Sequence, residues 1–395
     1  MRRPLVLLAT ATVVIASLGA TSAARQVYAP LWMKDLLRRG PCLFSIATPP
    51  AEEEGCIPWT RRETAGPAFH APSGILVVGG SDGLLHGLSA RDGRTLYRQP
   101  IPGDLVSKPA LVGDSAYFGT TEARVARADV TSGRVRWEAS VDAEVTVTPV
   151  VHEDTVYVVT GLETTYALDR ATGEVRWVQR HPLPGGITLR GQARPLLAEV
   201  PVSGGTQLRL YVGHATGKLT ALDAATGRPV DELTLATGET FLDVDADPLI
   251  HDGRLIAASH ASGVFAIDPS TSEPVWKHEE EGLVRLAAGG PYRIVAAGAG
   301  KVVGLDAATG KERWRFTFPR GAPTKPVVKG GRVHIGSDRG ALYILDLFSG
   351  EPLQYFGSGL GFAADLDLWG DMLFAVSTPG TLFALSNAFE GKVQN

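Results

Sequence analysis

The chain has 395 residues, 44% hydrophobic and 20% charged, with 46 Gly, 26 Pro and only 3 Met. That Gly and Pro usage suits a turn-dense all-β protein, and the length exceeds one ordinary core, so a modular architecture is expected. A formal net charge of −4 gives no basis for nucleic-acid binding.

Taken in order, the chain opens with Arg2-Arg3, an apolar run from Leu5 to Ala20, and small residues through Ala24. This reads as a secretory signal peptide over residues 1–24. Thr21 follows Leu18-Gly19-Ala20, where a lipoprotein would carry Cys. Residues 25–56 read as an N-terminal extension in which Leu31–Leu37 fits a short amphipathic helix. Cys42 and Cys56 flank Pro49-Pro50 and an acidic run. In an exported chain this pair is expected to form a disulfide, and closing a loop of about 15 residues contributes about 3 kcal/mol.

Residues 57–395 carry a repeat. Its clearest copy is Asp306-Ala-Ala-Thr-Gly310-Lys-Glu-Arg-Trp314. Gly accepts positive φ and the Asp side chain bonds the turn's own N–H groups, so the unit is a turn between two strands. Further copies are Asp129–Gly133–Trp137 and Asp169–Gly173–Trp177. In degenerate copies Asp223–Gly227 lacks the Trp, Asp268–Trp276 has Ser272 for Gly, and Asp346–Gly350 is followed by Gln354-Tyr355. Ser89–Gly93–Tyr97 stands first and Ser386 last. Successive anchors at 89, 129, 169, 223, 268, 306, 346 and 386 recur with a period near 40. A period of that length with about four short strands predicts an all-β, eight-bladed β-propeller of four-stranded blades. Pro67, Pro109, Pro149, Pro195, Pro248 and Pro326 mark the start of innermost strands, where a missing N–H is tolerated. The last copy lacks its outer strand, so an N-terminal strand is expected to close the ring, and Trp59 in Ile57-Pro58-Trp59-Thr60 is the residue assigned to it.

The fourth repeat is longer than its neighbours, with extra residues between Trp177 and Pro195 and again in Glu199–Thr206. Insertions in tight repeats often carry function. Arg190 stands five residues before Pro195; Asp243 and Asp245 stand five and three before Pro248. Equivalent offsets place both loops on one face. With Ile187 and Leu189 they make a small mixed interface; an Arg190–Asp243 ion pair between blades is the structural alternative. His70, His152 and His251 follow prolines in separate blades and cannot easily converge on one metal. Gly298–Gly304 lacks the βαβ context of a dinucleotide loop.

The Asp-x-x-Thr-Gly-x-x-x-Trp unit resembles the repeat of the pyrroloquinoline-quinone (PQQ)-like propellers. Within them, Leu189-Arg190-Gly191 and Asp243-Val244-Asp245 before Pro248 look like the two signature loops of the BamB family. That resemblance implies a non-catalytic, cofactor-free scaffold in the Gram-negative periplasm, associated with the outer membrane. Its expected partner is a POTRA-domain barrel assembly protein (BamA-like), bound through Ile187, Leu189, Arg190, Gly191, Asp243 and Asp245. Membrane contact would be indirect, through the complex, and the propeller monomeric. The alternatives are a PQQ-dependent dehydrogenase-like or a ligand-binding periplasmic propeller. Such enzymes carry long insertions and an adjacent Cys pair, whereas here the two Cys are separated and most loops are short.

Overall fold

The computed structural model describes residues 27–36, 63–188 and 192–387. The signal-like stretch, Cys42, Cys56, Trp59, Leu189, Arg190 and Gly191 lie outside them. Eight antiparallel sheets of four strands form a β-propeller with almost no helix. Blades 1 to 7 span residues 68–100, 110–140, 150–180, 196–234, 249–278, 285–317 and 327–356, each in simple A-B-C-D order from the channel outward. Each predicted proline directly precedes its strand A, as Pro109 precedes Ala110–Val112 and Pro248 precedes Leu249–His251.

Most D strands present a ring to the turn of the following blade. Trp137 faces Gly173, Trp177 faces Gly227, Trp276 faces Gly310 and Trp314 faces Gly350. A Cβ on Gly310 would stand 2.4 Å from the Trp276 ring, and φ there is +70°, so two independent constraints demand glycine. Each indole N–H also crosses the blade boundary; Trp276 Nε1 donates to Ala307 O at 3.0 Å and Trp314 Nε1 to Leu347 O at 2.7 Å. The Asp of the unit closes its own turn. Asp306 Oδ1 accepts from the N–H groups of Ala308 and Thr309, while Oδ2 accepts from Arg313.

Where the motif degenerates, it does so in pairs. Blade 4 has Asp231 in the Trp position, and the facing turn of blade 5 has Ser272 instead of Gly, with φ +62°. Ser272 Oγ donates to the Asp231 carboxylate, so a polar contact replaces the indole–glycine one.

Blade 8 corrects the assignment of the closing strand. Its strands Asp367–Trp369, Met372–Val376 and Thr381–Asn387 are completed by Tyr28–Asp35, antiparallel to the last of them. The segment read as a helix is therefore a strand, and the propeller begins inside the presumed extension rather than at residue 57. Trp32, not Trp59, takes the repeating Trp place. Its Nε1 donates to Ala90 O at 2.9 Å, and its ring lies 2.6 Å from where a Cβ on Gly93 would be. The register slips between Pro30 and Trp32, which accommodates the missing proline N–H on an edge strand. On the other side, Gln354 holds Tyr28: Oε1 accepts from the N–H groups of Val27 and Tyr28, and Nε2 donates to Tyr28 O.

One insertion also differs from expectation. Glu199–Thr206 is not a loop; it lengthens strands A and B of blade 4 into the paired Leu196–Val202 and Gly205–Gly213, on the face opposite the candidate site.

Candidate functional site

The loops that lead into strand A are fastened to the turns between strands B and C by a recurring pair of backbone hydrogen bonds. Val145 N donates to Thr120 O at 3.1 Å, and Gly161 N donates back to Glu144 O at 2.9 Å. Before blade 5 the same pair is Val244 N to His214 O at 3.1 Å and His260 N to Asp243 O at 2.9 Å. Asp243 thus occupies the tie position that Glu144 fills before blade 3. In blades 1 and 4 the B–C turn donates to a carboxylate: Ser81 N to Glu63 at 3.1 Å and Ala215 N to Glu163 at 3.2 Å.

The two predicted loops do meet. Ile187 and Thr240 form a parallel bridge, and Phe241 N donates to Ile187 O at 3.0 Å. Gly186 makes this approach possible, since a Cβ there would lie 2.1 Å from Glu239 O. Around the bridge runs a groove of about 530 Å³ whose lining includes the small residues Gly185, Ala215 and Gly238 beside Ile187 and Leu242. Its rim is apolar: Ile187 is 65% exposed, Leu183 57% and Phe241 39%. Phe241 holds φ +55° and stands 6.0 Å from the His260 ring.

The aspartates lie deeper than their loop positions suggest. Asp243 is fully buried, and Asp245 is 6% exposed with Oδ1 lacking a hydrogen-bond partner. Burial pushes the Asp245 carboxyl up to about 6; the Arg285 charge opposes this, while Asp243 and Asp247 add to it. Neither carboxylate is exposed at the rim, and Asp243 ties its loop through its backbone carbonyl, which accepts from His260 N. Phe241 was not a sequence candidate, and its exposure beside Ile187 carried no sequence signal beyond an aromatic in a loop.

The channel beside this face is polar. Lys108, Thr148, Arg194, Asp247, Lys325 and Asp365 line a cavity of about 360 Å³. Asp247 accepts from Arg194 N at 2.7 Å and Lys325 Nζ at 2.5 Å; burial raises its pKa, but Lys325 outweighs this and holds it low. Lys108 pairs with Asp367 at 2.7 Å. Among the described residues, His278, Glu280 and Glu312 are close enough to share a metal. Lys301 and Arg315 already occupy Glu280, at 2.5 and 2.8 Å, so this is an ion-pair network. His70 is spent on Ser73 at 2.7 Å, and none of the three histidines read in sequence joins another.

A family model described as outer membrane protein assembly factor BamB matches residues 29–135, 108–290 and 281–353. The chain is 23% identical over 282 residues to outer membrane protein assembly factor BamB of Yersinia pestis, covering 69% of this chain and 70% of the relative. Against the Bordetella pertussis protein of that name it is 25% identical over 289 residues, covering 71% and 72%. The crystal structure of BamB from Moraxella catarrhalis superposes with a TM-score of 0.71 at 22% identity, covering 82% of this chain and 97% of that one. Quinohemoprotein alcohol dehydrogenase from Comamonas testosteroni is similar at TM-score 0.64 and 14% identity, covering 85% and 76%. That second likeness is one of fold alone.

Proposed function

The chain belongs to the BamB family of outer membrane protein assembly factors, and from that premise we propose that it is a non-catalytic periplasmic scaffold of the barrel assembly machinery. It binds POTRA domains of a BamA-like subunit through the loops leading into blades 4 and 5. The observation that carries this reading is the bridged pair of loops, which presents Ile187 and Phe241 side by side above a groove. Exposed apolar side chains on a rigid base are what a partner needs in order to gain burial without ordering a loop. Leu189, Arg190 and Gly191 continue the first loop from Ile187 and complete the contact, with Arg190 supplying a charge-assisted hydrogen bond. Asp243 ties the second loop through its backbone carbonyl, and Asp245 is buried two residues on. The signal-like N-terminus supports export, and association with the outer membrane runs through the complex.

The test is calorimetric titration of the exported protein with a purified POTRA array. Ile187→Asp replaces apolar burial with a charge at the centre of the contact. It is expected to weaken binding by about 2 kcal/mol or more, roughly thirtyfold. Because Ile187 is exposed, its effect on folding stays within about 0.5 kcal/mol. Unchanged affinity for the variant would refute this site, and a parent protein that does not bind the array would refute the function.

A further inference from the structure

Beneath both loops lies a stacked pair of histidines that the partner face does not otherwise explain. His181 begins the loop into blade 4, and His214 sits in the B–C turn of that blade; their ring centroids are 3.9 Å apart at 34°. His214 Nδ1 lies 2.8 Å from Glu163 Oε2. Glu163 itself is buried with φ +56°, a left-handed conformation that its contacts must hold in place.

These three residues fasten both loops. His181 N donates to Glu163 O at 3.1 Å, Ala215 N to Glu163 Oε1 at 3.2 Å, and Val244 N to His214 O at 3.1 Å. The first bond roots the Ile187 loop and the last roots the Phe241 loop. In blade 3 the equivalent of the Ala215 bond ends on a loop carbonyl; here it ends on a titratable triad.

The arrangement suits neutral imidazoles. With Nδ1–H donating to Glu163, His214 Nε2 is a bare lone pair and needs no donor. Nε2 of both rings is buried without a hydrogen-bond partner. A proton added to either would create a buried N–H with no acceptor, and Glu163 can balance only one of two adjacent charges. Five other charged groups stand on the surrounding elements: Asp142, Glu144, Lys218, Arg180 and Asp243. Asp142 accepts from Thr160 and Thr164, Glu144 lies against Gly161, and Lys218 pairs with Glu232. Arg180 precedes His181 in the chain, and Asp243 adjoins Val244 in the second loop.

We propose that His181, His214 and Glu163 are positioning residues that lock the two partner-binding loops together at neutral pH and release them as the medium acidifies. This rests on the partner-face reading above. Burial above all holds the His181 imidazole down at about 3, and a proton on His214 would press it the same way. The locked form therefore refuses a proton that the released form accepts near pH 6.5. Linkage then weakens the lock by up to about tenfold per pH unit below that value, until the locked form itself titrates.

Amide hydrogen exchange on the whole exported protein tests this without a partner. Between pH 7.5 and 5.5, after correction for intrinsic rates, protection at His181, Ala215 and Val244 is expected to fall together by about tenfold. His181→Phe, which keeps a stacked ring but cannot titrate, should abolish that fall, as should His181→Gln if the larger ring disturbs folding. His152→Gln, in strand A of blade 3, should leave it intact. Protection that does not change with pH, or a fall that persists in both His181 variants, overturns the proposal. Affinity for a POTRA array in the same buffers should decline in step. Loops that release together in a protein that never binds the array would support the lock and defeat the functional reading instead.

Discussion

At the scale of single residues, Asp245 shows how a site can hold a group at a cost. Its folded pKa of about 6 lies above the ordinary aspartate value because burial disfavours the carboxylate. The folded state therefore binds more protons than the unfolded state between about pH 4 and 6, and stability falls as pH rises through that window. Asp245→Asn keeps the shape and removes the charge. It is expected to raise stability by roughly 2–3 kcal/mol at pH 7 and by almost nothing at pH 3.5. Thermal melts of both proteins across that range check this, and a gain independent of pH would point to some other cause. The turn aspartates act in the opposite sense. Hydrogen bonds from Arg313 and Thr309 hold Asp306 down at about 2, so its contribution is present above pH 4 and is lost as pH falls toward 2. The offsets from Pro195 and Pro248 made the position of Asp243 and Asp245 along the loop legible. Their depth was not, because an offset in sequence says nothing of which neighbours cover a side chain.

At the scale of elements, the repeat was legible because its chemistry is local. Asp, Thr and Gly build the turn within five residues, and the Trp follows at a fixed distance. The pairing of losses was not legible, because Asp231 and Ser272 sit in different repeats and meet only across a blade boundary. That contact predicts strong coupling. Asp231→Trp alone should destabilise, since the indole position leaves no room for the Ser272 Cβ, and Ser272→Gly alone strips the carboxylate of its partner. Together they rebuild the arrangement of Trp276 and Gly310. The double variant should recover about 1–3 kcal/mol relative to the sum of the single effects, measured by denaturant unfolding; simple additivity would mean the two positions do not act as a unit. The closing strand was misread for a related reason. Leu31, Trp32 and Met33 are consecutive and the strand is bulged at Pro30, so no period-2 alternation marks it. The Trp–glycine contact identifies it only once Gly93 is seen beside Trp32. The His181–His214–Glu163 cluster was likewise invisible, since 51 residues separate Glu163 from His214 and the ring alone brings them together.

At the scale of the whole molecule, closure decides whether the face exists. Tyr28–Asp35 completes blade 8, and Trp32 ties that blade to blade 1 through Ala90 and Gly93. Removing residues 25–36 exposes the edge of Thr381–Asn387 and breaks the ring. The truncated protein is expected to lose its cooperative melt or aggregate, whereas an unchanged melting curve would show that the other seven blades hold the ring unaided. With the ring closed, the loops ahead of blades 4 and 5 share one face, and the Glu199–Thr206 hairpin points from the opposite one. The most direct measurement of the central claim is hydrogen-exchange footprinting of the protein with and without a POTRA array. The account predicts protection confined to residues 181–195 and 236–248, with the 199–206 hairpin unchanged. Protection of that hairpin, or of the outer strands in place of the two loops, would contradict it.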